Sequence, residues 1–224
     1  MIAIAPHGEI ESVPELQTAM EELGRSYDGE STIVVVTPHN VHVEGHFAVS
    51  VSARVGRHEV DRELALTLVK EIRGAGLPVV GISYGGNNPG EAELPLDWGT
   101  EVPLRYVCAR RVVVVTPARD RPLEEHLRLG ECLRGHDLIA SADHAHAHAP
   151  DGPYGFHPAA AMYDRLFQEL VQAGDFRPLV DLVDDGKADS LWQLLVLQGA
   201  TGGRGGKLLA YAAPTYYGMA VALF

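Results

Sequence analysis

Thr32–Asn40 reads TIVVVTPHN, and this stretch decides the fold. An unbroken β-branched run predicts a strand covered on both faces, because a strand with one wet face would alternate with polar residues. Pro38 removes a ladder donor and fixes its own φ, so the strand stops there and His39 is aimed beyond the sheet. Working outward, Arg111–Thr116 (RVVVVT) repeats the form and also stops at a proline. Met1–Ala5, Val79–Tyr84 and Asp137–Ser141 read as further strands. Phe47–Val55 alternates instead, with Val49, Val51, Ala53 and Val55 on one face, which suggests a half-exposed strand. Helical patterns separate these runs: Val13–Leu23 with Leu16, Ala19, Met20 and Leu23 on one face, then Val60–Gly74, Arg121–Leu133, Ala159–Ala173 and Leu191–Ala200. Lys207–Ala213 and Tyr217–Leu223 around Pro214 look like a closing strand pair. Strand and helix alternate throughout, so the expected fold is an α/β single-domain sandwich over residues 1–224, with a mostly parallel central sheet flanked by helices.

Composition limits the function. With 224 residues, 46% of them hydrophobic, the chain can bury a substantial core without help. A formal charge of −12 argues against nucleic acid as partner, since phosphate binding needs a Lys/Arg surplus. The N-terminal MIAIAPHGEIESV lacks the cationic and long apolar regions of a signal peptide, and no stretch reaches a transmembrane length, so a cytoplasmic protein without membrane contact is expected. Cys108 and Cys132 lack C-x-x-C spacing and are expected to be buried structural residues.

Functional groups in open α/β sheets collect beyond the carboxyl ends of the strands. Four runs here end in polar signatures: Ala5-Pro6-His7-Gly8-Glu9, Thr37-Pro38-His39-Asn40, Tyr84-Gly85-Gly86-Asn87-Asn88 and Ser141-Ala142-Asp143-His144-Ala145-His146. Parallel strands would put all four on one rim. His42, His46, His58, His126 and His136 sit in exposed-looking or helical surroundings and call for no special role. His7 and His39 differ, because each follows a strand-ending proline; they read as metal ligands, or else as buried histidines bonded to backbone carbonyls. His144, His146 and His148 alternate too closely to surround one ion. One of them is expected to face the site as a proton carrier, for which imidazole, with an ordinary pKa of about 6.5, is suited.

Five segments taken together, APHGE at Ala5–Glu9, TPHN at Thr37–Asn40, LDWGTEVPL at Leu96–Leu104, SADHAH at Ser141–His146 and DSLWQLLVLQGA at Asp189–Ala200, make the chain resemble the LigB-type class III extradiol ring-cleavage dioxygenases and their Memo-type relatives. The resemblance covers nearly the whole chain. It implies a mononuclear non-haem Fe(II), with zinc or another divalent metal possible in purified protein, and opening of a small aromatic substrate by dioxygen. It also implies a habit of dimers or larger homo-oligomers.

By the same resemblance His7 and His39 are metal ligands and His146 is the acid/base. Asp189 falls where the dioxygenases carry a carboxylate ligand and Memo-type proteins a cysteine; Glu9 and Asp185 are the competing carboxylates. Two histidines and one carboxylate would leave coordination positions open for substrate and dioxygen. Trp98, Thr100, His144 and Tyr154 are the candidates for substrate contact. Glu9, Asp97 and Asp143 are the candidates to stand behind the ligands, Glu9 by orienting His7. Asp97 and Thr100 can equally be read as a helix N-terminus before Val102–Val107. The chain departs from the family at Trp98, an indole where many members have a histidine. That departure supports the alternative of a Memo-like metal-binding or redox protein without ring cleavage; zinc-dependent hydrolysis on the same ligands is a third option. Tyr216 and Tyr217 are further pocket-lining candidates, and Arg204, in the Gly202–Gly206 turn, is a candidate for a substrate carboxylate.

Overall fold

The computed structural model describes every residue of the chain except Gly86. Its strands are β1 (Ile2–Ala5), β2 (Thr32–Val36), β3 (Phe47–Ser50), β4 (Arg54–Val55), β5 (His58–Glu59), β6 (Val79–Ile82), β7 (Glu93–Leu94), β8 (Arg111–Thr116), β9 (Asp137–Ser141), β10 (Lys207–Ala212) and β11 (Met219–Leu223). Its helices are α1 (Pro14–Ser26), α2 (Arg62–Gly74), α3 (Trp98–Tyr106), α4 (Leu123–Cys132), α5 (Pro158–Ala173), α6 (Val183–Gly186) and α7 (Leu191–Thr201). Eight strands form one sheet in the order β10-β11-β1-β9-β2-β8-β3-β6, and β5-β4-β7 form a small separate one.

The four central strands, β1, β9, β2 and β8, are parallel, as their β-branched runs require. Alternate residues of each feed two cores. Ile33, Val35 and Ile139 pack under α1 and α3, while Val34, Val36 and Leu138 pack under the helices of the other face. The sheet is therefore sandwiched between helical layers, which matches the expected fold class. The closing pair β10–β11 is antiparallel and joins β1 at one end.

Helix α7 is apolar all round and is buried accordingly. It crosses α4 at Gly130 and Gly199, where a Cβ on Gly130 would stand 2.0 Å from the Val196 carbonyl oxygen. The two backbones touch, so α7 lies deep enough for the residues just before it to reach the sheet rim.

Three expectations need correction. Phe47–Val55 is not one half-exposed strand: β3 is buried along its length between β8 and β6, and it stops at Ser50, before β4 begins at Arg54. Because β3 is antiparallel to β8 and β6 follows β3, the end of β6 lies on the opposite rim, away from the other three signatures. The Tyr84–Asn88 signature also contains Gly86, which lies outside the described residues. Cys108 is exposed rather than buried. His126, expected to need no special role, is a hydrogen-bonded histidine of α4: it is buried edge-on to Phe47, with its Nδ1 donating to the Pro122 carbonyl. Among the described residues, no helix is long and apolar enough to cross a membrane.

Candidate metal centre

Three parallel strands deliver the site. His7 follows β1 by two residues, His39 follows β2 by three, and β9 runs into Asp143 and His146. The fourth contribution comes from the other side of the rim, where the chain turns at Lys187 into α7. Lys187 has φ +55, the left-handed region that costs a side-chain-bearing residue roughly 1 kcal/mol, and this turn brings Asp189 inward.

His7, His39 and Asp189 converge as a group able to hold a metal ion. The two Nε2 atoms are 2.9 Å apart, and Asp189 Oδ2 lies 3.7 Å from one and 3.6 Å from the other. A point equidistant from three atoms so spaced is about 2 Å from each, the bond length that nitrogen and oxygen ligands make to zinc and similar ions. The donors also face the right way. Ser141 Oγ donates to the Gly99 carbonyl at 2.5 Å, so it accepts from His7 Nδ1 at 3.0 Å, and the lone pair of His7 is left on Nε2. Asp189 Oδ1 is buried with no hydrogen-bond partner, a costly arrangement for a carboxylate that has no cation to satisfy it. The residues therefore fit a divalent metal.

Protons report the same convergence. Burial works against charge on His7, yet the carboxylates of Asp143 and Asp189 outweigh it and raise its pKa to about 9. His39, desolvated and beside that cation, is pushed down to about 4. Burial raises the carboxyl of Asp143, whereas Asp189, equally opposed by burial, is held below the usual range by His7, His146 and His39. One proton shared by two imidazoles beside a carboxylate is the arrangement a metal ion replaces.

The groups behind the ligands differ in part from expectation. Asp97 caps α3, accepting from the Thr100 amide, and also takes the hydroxyl of Thr37 and the Nδ2 of Asn40. Thr37 in turn accepts from the His39 amide, so Asp97 fixes the turn that carries His39. Gly99 is required there, since a Cβ would come within 2.3 Å of Thr37 Oγ1. Asp143 accepts from the His7 amide at 3.0 Å. Glu9 does not orient His7: it is exposed, and its contribution is a backbone N–H donated to the Tyr217 hydroxyl. Asp185 is exposed. Arg204 is exposed near the Met1 amino group, at the opposite end of β1 from His7.

The ligands sit at the foot of an open pocket of about 950 Å³. His146 lines it, and its Nδ1–H donates to the His144 carbonyl at 2.8 Å, which leaves a lone pair on Nε2. The Tyr217 ring stacks on His146 at 5.5 Å, and Tyr154 meets it edge-on at 5.8 Å. Gly8 makes room for Tyr217, because a Cβ there would lie 2.3 Å from that ring. Trp98 lines the pocket with its ring 4.5 Å from that of His39.

Thr100 and His144, expected at the substrate, are elsewhere. Thr100 is fully buried, its hydroxyl spent on Asp97. His144 is fully buried against Phe167, with Nδ1 on Ser190, because the His144–His148 segment is not an extended strand and its rings diverge. Conversely, Ser141, Arg119 and Trp192 belong to the site and its lip without having been singled out. Arg119 follows Thr116-Pro117-Ala118 at the end of β8, the same strand-ending signature as the ligand histidines. Its guanidinium lies 4.5 Å over the Trp192 ring.

No family model matches the chain. It is similar to Protein CA_C1420 of Clostridium acetobutylicum, at 22% identity over 205 aligned residues that cover 80% of this chain and 44% of that protein. The chain thus spans less than half the length of this curated relative. Among solved structures, the uncharacterized protein JW3007 from Escherichia coli K12 aligns with a TM-score of 0.68 at 18% identity, over 99% of this chain and 98% of that one. That likeness extends to the fold as a whole.

Proposed function

We propose that the protein is a non-haem Fe(II) dioxygenase that opens a small catecholic or aminophenolic ring on the extradiol side, with the metal held by His7, His39 and Asp189. The observation that carries the reading is the triangle of two imidazole nitrogens and one carboxylate oxygen facing an aromatic-walled pocket. When bound in such a set, iron supplies adjacent open positions for substrate and dioxygen. The chain's own residues supply the rest. His146 Nε2 accepts the proton of a ring hydroxyl and returns it as the ring opens. Trp98 and Tyr154 flank the space an aromatic ring would fill, and Tyr217 holds the imidazole of His146 by stacking. The free cysteines accord with a reducing compartment, and the reading places the protein in the cytoplasm.

The test is to load the protein with Fe(II) without oxygen, add a panel of catechols and aminophenols, and admit air. Dioxygen uptake with a yellow ring-opened product is expected. His146→Gln should keep its metal and lose about 10²–10⁴-fold in kcat. Full metal loading with no turnover across the panel would overturn the reading in favour of a metal-binding or redox protein without ring cleavage. The observation favouring that second reading is Trp98, which lies against His39 and brings no proton-transferring group to the site.

A further inference from the structure

Asp164, on α5, is a buried carboxylate for which the proposed chemistry has no use, and it sits behind the segment that carries His146. It is 1% exposed and has no Lys or Arg partner among the described residues. Its Oδ1 accepts the amide of Ala145, the residue before His146, at 3.0 Å. Its Oδ2 takes His148 Nε2 and the Tyr211 hydroxyl, each at 2.7 Å. One carboxylate therefore grips the backbone just before His146 and a side chain two residues after it.

The residue that precedes β11 completes the clamp. Gly218 donates its amide to the Ala145 carbonyl at 2.9 Å and accepts from the His144 amide at 2.7 Å. A Cβ on Gly218 would stand 2.0 Å from Asp164 Oδ2, so the close approach of strand, loop and carboxylate depends on glycine there. From the pocket side, His146 donates its amide to the Gly186 carbonyl, in the turn that leads to Asp189. A desolvated carboxylate held by three donors is a rigid anchor, because giving up any of them leaves buried charge less satisfied.

We propose that Asp164 is the positioning residue that fixes His146 at the pocket wall, acting through the Ala145 amide and the His148 ring. The assignment of a purpose to that positioning rests on the proton-carrier role of His146 given above. Asp164 lies on the core side of the segment and supplies none of the converging metal ligands, so its removal should leave metal affinity intact.

The experiment uses full-length protein loaded with zinc, a diamagnetic probe, and long-range ¹H–¹⁵N spectra of labelled histidines, with His146→Gln to assign the His146 signals. In Asp164→Asn the amide cannot offer acceptors to all three donors. The His146 ring signals should shift by more than a linewidth or split, while zinc remains stoichiometric. In the iron-loaded protein kcat should fall about 10²-fold, the effect of a misplaced reacting group, with KM within about twofold. His148→Ala, which leaves the buried carboxylate and its Ala145 contact in place, is the gentler variant should Asp164→Asn fail to fold. It too should move the His146 signals. Unchanged His146 signals in whichever variant folds would overturn the clamp. Shifted signals in a protein that opens no ring would support the clamp and sink the dioxygenase reading; ring opening with unmoved signals would do the reverse.

Discussion

His7 and His39 point their Nε2 atoms at each other across 2.9 Å, each facing Asp189 Oδ2 as well. Two imidazole lone pairs do not tolerate that distance without a proton or a cation between them. In the metal-free protein the proton is on His7, raised to about 9, while His39 is held near 4. A metal must displace that proton. Between pH 5 and 8 the affinity for zinc should therefore rise about tenfold per pH unit, and more steeply below pH 4, where a second proton must leave. Competition with a chelator at pH 6, 7 and 8 checks this; a flat profile would mean that His7 does not carry the proton.

The hydrogen bond from His7 Nδ1 to Ser141 fixes the tautomer that makes Nε2 a ligand. Ser141→Ala removes it without touching the ligands. Metal affinity should fall about 10–100-fold, the usual cost of removing such a supporting bond. His7→Ala and Asp189→Ala should each abolish stoichiometric binding, and metal analysis of protein purified without oxygen distinguishes the two grades of loss.

His144 makes the second pH prediction, one of stability. Burial against Phe167 lowers its pKa to about 4, below the value of 6.5 in an unfolded chain. Above pH 6.5 neither state binds the proton and its contribution is complete. As pH falls from 6.5 towards 4 only the unfolded state takes it up, so stability drops by about 1.4 kcal/mol per pH unit. In chelator-treated protein, urea unfolding at pH 7 and pH 5 should show His144→Gln losing about 2 kcal/mol less than the parent chain. An equal loss in both would put the acid sensitivity elsewhere, with buried His126 as the next candidate.

What could be read in advance follows from which interactions are local. TIVVVT and RVVVVT specify buried strands by residue type alone, and Pro6 and Pro38 specify where His7 and His39 leave the sheet. Asp97 as a helix cap was likewise legible, since a cap needs only its own next three residues. The direction of β6 was not, because strand direction depends on which neighbour a strand pairs with, and β3 inserts antiparallel between β8 and β6. Nor was the split among His144, His146 and His148. Alternation implied one common face, but Asp164 on α5 and Gly218, just before β11, bend that segment by their contacts. Ser141 lay inside a quoted motif, yet its bond to Gly99 joins residues 42 apart in sequence and becomes visible only in three dimensions.

Arg119 and Trp192 yield a prediction about substrate choice. Among the described residues Arg119 has no carboxylate partner, in a chain of formal charge −12, and its guanidinium carbon lies over the Trp192 indole, both of them lining the pocket. A guanidinium held beside an indole keeps its N–H donors, and these are the groups that take a carboxylate in paired fashion. A ring bearing an acidic side group should therefore bind better than a neutral catechol. Losing one charge-assisted contact of about 1.5–3 kcal/mol corresponds to roughly 10–100-fold in affinity. Arg119→Ala should raise KM for the acidic ring by about that factor and leave the neutral ring within about twofold. Arg119→Lys should recover only part of the difference, because an ammonium keeps the charge and loses the fork. Should the protein open no ring, equilibrium binding of the same two compounds to zinc-loaded protein reads the same contrast. Equal losses for both compounds would show that Arg119 supports the indole wall instead of the substrate's charge.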